Sequence, residues 1–260
     1  MTLSDVEIAK QAAVSAGEIL LGFWQERESL KVTNKRAGDF VSRADFKAEE
    51  HLKNTLLSNS PSDGWLGEET GSSGERGRRW IVDPLDGTTN FLRGIPHWSV
   101  SVGLEVDGDL TLGVIHDPVN KETFIAERGK GATLNAQPIK VSNTENFASA
   151  LFGTGIPFGG MPNIDHHSRE IARLMPKCAG VRRMGSAALD LAYVACGRLD
   201  GFWERGLQQW DIAAGLVIAS EAGATITGWD EQDDPGVSGN VLTATPGLYS
   251  DFHRLIVKEH

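Results

Sequence analysis

No stretch of this chain leaves its backbone fewer choices than Trp80-Ile-Val-Asp-Pro-Leu-Asp-Gly-Thr-Thr-Asn-Phe91. The apolar lead-in Trp80-Ile81-Val82 predicts a buried strand, and Asp83 is expected to end it abruptly. Pro84 has no N–H for a ladder, so Asp83, Leu85 and Asp86 are expected on a loop at the strand's end. Gly87 lets the backbone approach a ligand closely. Thr88 and Thr89 then offer N–H groups where an anion can sit, at the start of a short helix. Two carboxylates beside such a cradle suggest cations next to a phosphate.

Two further segments extend the pattern. Gly67-Glu68-Glu69 follows the apolar pair Trp65-Leu66, and in Trp210-Asp211-Ile-Ala-Ala-Gly215 an aspartate opens a helix of small residues. Hard divalent ions such as Mg²⁺ gather carboxylates, carbonyls and water. Paired metals about 3.5–4 Å apart can clamp the attacking and leaving oxygens of a displacement. Glu68, Asp83, Asp86 and Asp211 would supply the charge that such ions need.

The chain's 260 residues can bury a sizeable core, as one large domain or as two closely packed halves. No apolar run approaches the ~20 residues that span a bilayer. The start Met1-Thr-Leu-Ser-Asp5 lacks the basic and apolar parts of a secretory signal. Cys178 and Cys196 make no disulfide framework, so reduced thiols in a cytoplasmic protein are the expectation. A formal net charge of −10 argues against nucleic-acid binding, which needs a basic face. It suits an anionic substrate only once metals are counted, because bound ions reverse the local field.

The capping box Ser4-Asp-Val-Glu7 opens an amphipathic helix expected over 5–25, and a second helix is expected over 44–57. Asp39-Phe40-Val41 reads as extended, Pro61–Gly64 as a turn and Gly71–Gly77 as a polar loop. Strands are expected at 99–106, 110–116 and 122–127, with Asp107-Gly108 a hairpin turn and Gly129–Asn135 a further strand and turn. From about residue 150 strands (148–153, 181–184, 200–203, 241–244) alternate with helices (164–175, 187–196, 212–222, 248–258).

The three acidic segments, in this order, resemble the inositol monophosphatase family of Mg²⁺-dependent, lithium-sensitive phosphatases over nearly the whole length. The family's first signature matches at Trp80–Phe91, its second at Trp210–Gly215, and its Gly-Glu-Glu element at Gly67–Glu69. The resemblance implies an α+β, α/β fold: a layered αβαβ(α) sandwich of the inositol monophosphatase/fructose-bisphosphatase type. Its single domain would comprise an N-terminal half over 1–147 and a C-terminal half over 148–260.

The resemblance also implies roles. One Mg²⁺ would be held by Glu68, Asp83 and the Leu85 carbonyl, a second by Asp83, Asp86 and Asp211, and a third, weaker one mainly by Glu68 and water. The nucleophile would be a metal-bound water, oriented or deprotonated by Thr88 and Glu69, with Asp45 behind the threonine hydroxyl. The N–H groups of Gly87 and Thr88 would grip the phosphate. Asp86, Gly185, Ser186, Ala187 and Glu204 match positions that line a polyol, and a carboxylate at 204 can accept from vicinal hydroxyls.

Other readings stand beside these. Asp45 and Asp211 also look like helix N-caps, and Glu204 could have a structural role, pairing with Arg205 or a nearby helix. Lys35, on the loop Asn34–Gly38, adds charge at the site's mouth or serves only solubility. Gly74–Arg79 reads as solvated loop charge, or as a partner's patch. His166-His167 reads as a solvated surface pair, since no further zinc ligands lie near, and His97 as a strand start.

The function expected is hydrolysis of inositol monophosphates, with histidinol phosphate and fructose 1,6-bisphosphate as competing substrates. Thr89-Asn90 stand where relatives that cleave 3′-phosphoadenosine 5′-phosphate carry Lys-Glu, which argues against that nucleotide. The family further implies a homodimer. Some bacterial relatives also serve the transcription and ribosome-maturation machinery, so a regulatory role is the alternative of a different kind.

Overall fold

The computed structural model describes residues 3–27, 32–36, 39–75, 77–157, 162–230 and 232–257, with the backbone alone over 32–36 and 39–42. Ser4 and Glu7 cap each other's backbone and open helix α1 (Asp5–Gln25), as the capping box requires. Strands β1 (Val32–Arg36) and β2 (Asp39–Ser42) pair antiparallel, so the stretch around Lys35 expected as loop is partly strand. The Lys35 side chain lies outside the described residues. Helix α2 (Arg43–Asn59) buries Ala44, Ala48, Leu52 and Leu56 at helical spacing and lies against α1.

Strands β3 (Gly64–Gly67), β4 (Gly71–Ser73) and β5 (Arg78–Asp86) come next, β4 lying in the segment expected as a polar loop. Strand β5 does not stop at Asp83. Its ladder with the following antiparallel strand breaks after Asp83 and resumes at Asp86, so Pro84 and Leu85 occupy a bulge. Helix α3 (Thr88–Arg93) leads into β6 (Ser99–Val106), β7 (Asp109–Asp117), β8 (Glu122–Glu127), β9 (Ala132–Leu134) and β10 (Gln137–Ile139). Asp107 (φ 53°) and Gly108 (φ 89°) are both left-handed, which gives the turn the twist a tight hairpin needs. Among the described residues this sheet has eight strands, in the order β10-β9-β8-β7-β6-β5-β3-β4.

The second half holds β11 (Leu151–Thr154), α4 (Ile164–Leu174), β12 (Gly180–Arg182), α5 (Ala187–Ala195), β13 (Gly201–Glu204) and α6 (Gln209–Glu221). Then come β14 (Thr225–Thr227), α7 (Pro235–Ser238), β15 (Val241–Ala244) and α8 (Pro246–Val257). Strand β11 starts later than expected because the Asn146 side chain caps a 3₁₀ turn over Phe147–Ser149. The five-stranded sheet runs β12-β11-β13-β15-β14.

These elements stack in five layers. Helices α1 and α2 cover one face of the large sheet and α5 and α6 the other; beyond these lies the small sheet, backed by α8 and α4. Strand β13 shows why the small sheet is buried twice: Phe202 packs toward α5 and α6, while its neighbour Trp203 packs toward α8. Among the described residues no helix is long and apolar enough to cross a membrane.

Helix α6 reaches unusually close to the large sheet because the cross-strand pair Gly103↔Gly113 has no side chains. A Cβ on Gly103 would lie 2.9 Å from the Ala213 Cβ, and one on Gly113 would overlap the Ala214 carbonyl. Gly113→Ala is therefore expected to destabilise the fold by about 1–3 kcal/mol through overpacking. It should also lower turnover, because α6 carries Asp211. Thermal melting together with an activity assay checks both; an unchanged melting temperature would contradict the packing argument.

Candidate active site

The bulge in β5 decides which way its carboxylates face. The Leu85 N–H donates to Asp83 Oδ1 at 2.9 Å, folding the chain back on itself around Pro84. Asp86 re-enters the ladder opposite Ser99, and its Oδ2 accepts from Ser186 Oγ at 2.5 Å and from the Ala188 N–H at 2.8 Å. The first turn of α5 is thereby tied to the end of β5. Gly87 has φ 96°, and a Cβ there would lie 3.1 Å from the His97 carbonyl and 3.3 Å from that of Gly185, so conformation and space both call for glycine.

Glu68 and Glu69 reach the same place because β3 runs parallel to β5, with Gly67 beside Val82. Their loop is clamped from below by Glu49 of α2, which is wholly buried. Its Oε2 accepts from the Glu69 N–H at 2.7 Å and its Oε1 from the Thr70 N–H at 2.8 Å. Gly67 leaves room for that carboxylate, since a Cβ would come within 2.6 Å of Glu49 Oε1. Glu49 thus positions the Glu68-Glu69 segment. As one more polar residue of a predicted helix, it carried no signal in the sequence.

Asp211 sits in the first turn of α6, not at its N-cap as one sequence reading had it, because the helix begins at Gln209. Its Oδ2 accepts from the Gln208 N–H at 2.7 Å, and the Trp210 carbonyl accepts from Ser101 Oγ at 3.4 Å, fastening α6 to β6. Asp45 likewise lies inside α2 rather than capping it. The Thr88 hydroxyl donates toward both Asp45 Oδ1 (3.3 Å) and the Leu85 carbonyl (3.1 Å).

A pocket of about 430 Å³ collects the sequence-predicted set: Glu68, Glu69, Asp83, Leu85, Asp86, Gly87, Thr88, Gly185, Ser186, Ala187, Glu204 and Asp211 all line it. Asp45 stands behind Thr88, outside the lining. A second cavity, of about 350 Å³ between α6, α7 and β7, contains none of the four acids expected to hold metal.

The acids act on one another. Burial pushes the Asp83 carboxyl well above the usual range, and the charges of Glu68, Asp86 and Asp211 push it further. Burial raises Asp86 to about 6 against the pull of its bonds to Ser186 and Ala188. Asp211 is raised by burial and then by Asp86, and Glu204 reaches about 8 from burial and the Asp86 charge, tempered by Arg183. Carboxylates that repel each other in a buried pocket are the donor chemistry of a hard divalent cation. Among the described residues no three of them yet converge on one point. Asp83, Asp86 and Asp211 are instead each engaged by a nearby main-chain N–H. The residues fit a metal by charge and by oxygen chemistry.

Two alternatives from the sequence are corrected. Arg205 pairs with Glu170, not Glu204, and lies over the Trp229 ring at 3.9 Å. His167 is no surface residue: it is 3% exposed, stacks on Trp203 at 5.7 Å and lies 3.6 Å from Glu170. The helical face of α4 that meets Trp203 was not visible in its polar sequence. His97 precedes β6, as expected, with its ring against Tyr193. Cys178 and Cys196 are free thiols. Arg183 and Asp190, both lining the pocket, were not anticipated.

Comparison with known proteins bears on the family and the fold. The model of the inositol monophosphatase family matches residues 3–259. The inositol-1-monophosphatase of Rhizobium meliloti (strain 1021) is 44% identical over 255 residues, covering 96% of this chain and 95% of that protein. The Nus factor SuhB of Pseudomonas aeruginosa is 42% identical, covering 85% of this chain and 84% of that protein. The crystal structure of the extragenic suppressor protein suhB from Bartonella henselae superposes with a TM-score of 0.94 at 41% identity, covering 98% of each chain. The chain belongs to the inositol monophosphatase family, whose members are metal-dependent phosphoric monoester hydrolases.

Proposed function

We propose that this protein hydrolyses inositol monophosphate to inositol and phosphate, using two or three Mg²⁺ ions. The observation that carries the reading is that Glu68, Asp83, Asp86 and Asp211 line one pocket, where burial and neighbouring charge raise the three aspartates. Those four side chains, with the Leu85 carbonyl, would hold the metal. When bound, Mg²⁺ neutralises phosphoryl charge and makes water more acidic.

The remaining steps belong to the chain's own groups. The Thr88 hydroxyl gives its proton toward Asp45 and the Leu85 carbonyl, so its oxygen faces the pocket as an acceptor for the attacking water. Glu69, its backbone held by Glu49, is the carboxylate that takes the water's proton. The N–H groups of Gly87 and Thr88 bind the phosphate oxygens, and the left-handed turn at Gly87 aims them. Glu204, with Gly185, Ser186 and Ala187, receives the leaving group's hydroxyls.

The reading is tested by turnover of inositol 1-phosphate, histidinol phosphate and fructose 1,6-bisphosphate in Mg²⁺ buffer. Inositol 1-phosphate should have the largest kcat/KM, and a strong preference for another ester would replace inositol as the substrate. Glu204→Gln should lower kcat/KM for inositol 1-phosphate about tenfold more than for a small aryl phosphate, which offers no hydroxyls to read. An equal loss on both esters would remove Glu204 from the leaving-group pocket.

The working assembly proposed is a cytoplasmic homodimer, which light scattering would test. A second, regulatory reading is favoured by the SuhB relatives, several of which are named Nus factors. Co-purification with RNA polymerase would support it, and its absence would leave hydrolysis alone.

A further inference from the structure

Beyond the metal-facing acids the pocket is lined by Arg183, Asp190 and Glu204. Strand β11 ends at this wall with Gly153-Thr154, and Gly155 follows directly. A Cβ on Gly153 would lie 3.6 Å from Asp190 Cγ, and one on Gly155 would overlap the Glu204 carboxylate. The missing side chain at Gly155 makes room for the Glu204 carboxylate, while Gly153, whose Cβ would crowd Leu199 at 2.8 Å, lies at ordinary contact distance from Asp190.

Asp190 is 1% exposed, and its Oδ1 has no hydrogen-bond partner among the described residues. Leaving a buried polar atom so is costly, because its bond to water is lost and not replaced. No local need explains it. The first turn of α5 is served by Ser186, which accepts from the Leu189 N–H, and by Asp86, which accepts from Ala188. In α5 it is the one charged residue among buried Ala, Leu and Val side chains. Glu204 and Asp86 oppose its charge, and Arg183 favours it. Arg183 favours Glu204 as well, and its Nη1 would be 2.9 Å from a Cβ on Gly185. A buried acceptor without a donor, set in a substrate pocket beside a second acid, suits a hydroxyl brought by the ligand.

We propose that Asp190 is a specificity-determining residue: with Glu204 and Arg183 it forms a wall that selects a neutral, hydroxyl-rich leaving group over one bearing a second phosphate. The inference rests on the phosphatase reading above. Hydroxyls donate to the two carboxyls and fill the unmade bond. A second phosphate brings only acceptors and its own negative charge, so any ionised carboxyl on this wall repels it with one guanidinium to oppose.

The test compares kcat/KM for inositol 1-phosphate and fructose 1,6-bisphosphate, with saturating Mg²⁺, in Asp190→Asn, Arg183→Gln and the parent protein. Asp190→Asn keeps the volume but removes the acid, and should lower the ratio of inositol 1-phosphate to bisphosphate by about tenfold. Arg183→Gln, at an exposed position, leaves both acids unopposed and should raise that ratio by about threefold or more. A purely structural role would lower both substrates together and leave the ratio alone. Ratios that stay fixed, or that move the same way in both variants, would overturn the proposal, as would loss of cooperative melting in Asp190→Asn. A parent protein with no Mg²⁺-dependent turnover of either ester would overturn the phosphatase reading itself, and this inference with it.

Discussion

Asp83→Asn is expected to lower kcat/KM for the phosphate ester by about a thousandfold or more, with the fold intact. Asp83 is 2% exposed and stands where the charges of Glu68, Asp86 and Asp211 all bear on it. Asparagine keeps its shape and can still accept from the Leu85 N–H, but it brings no charge to a cation. Asp211→Asn should behave alike, since its carboxylate also caps the Gln208 N–H, a bond that an amide oxygen can replace. Both variants should melt cooperatively. Without metal, each should melt at least as high as the parent, because a repelled buried carboxylate has been removed. A variant that unfolds would make the residue structural; one that keeps full turnover would remove it from the metal site.

The second large effect is on stability against pH, measured in chelator. Asp86 is raised from 3.8 to about 6, chiefly by burial. Below about pH 4 the folded and unfolded chains both keep that proton, and nothing is lost. As pH rises toward 6 the unfolded chain releases it more readily, so stability falls. Above 6 the whole loss is present, about 3 kcal/mol from this carboxyl alone. Glu204, raised to about 8, extends the fall to higher pH, and Asp83, Asp190 and Asp211 shift in the same direction. Denaturant midpoints between pH 4 and 8 read this out, and subtracting the curve of Asp86→Asn isolates the one group. Magnesium should reverse the loss by binding the ionised form, worth about 2.7 kcal/mol at a hundred times its dissociation constant. A metal-free protein that grows more stable over this range because of Asp86 would contradict the electrostatic account.

Much of this site could be read from residues because its chemistry is written in short segments. Asp83, Asp86 and Gly87 adjoin one another, and a proline between the two acids announces an irregular backbone. Long periodic helices such as α1 were equally plain, and the strands of the large sheet alternate or run apolar between turn residues. The proline's effect was only half visible: it disturbs the ladder, but a bulge lets pairing resume at Asp86. Strand β14 and helix α7 went unseen because three or four residues carry no periodicity. Glu49 and Asp190 stayed hidden for another reason. Neither belongs to a recognisable segment, and the importance of each arises only where the fold brings it: beneath the Glu68-Glu69 loop, or beside Glu204.

Turnover of inositol 1-phosphate after exhaustive dialysis against chelator, followed by stepwise return of Mg²⁺, bears most directly on the central idea that acids from separate segments gather a cation to drive hydrolysis. The account predicts no measurable turnover without metal, and recovery that rises with Mg²⁺ in the parent protein but not in Asp83→Asn. Undiminished hydrolysis in chelator would contradict it.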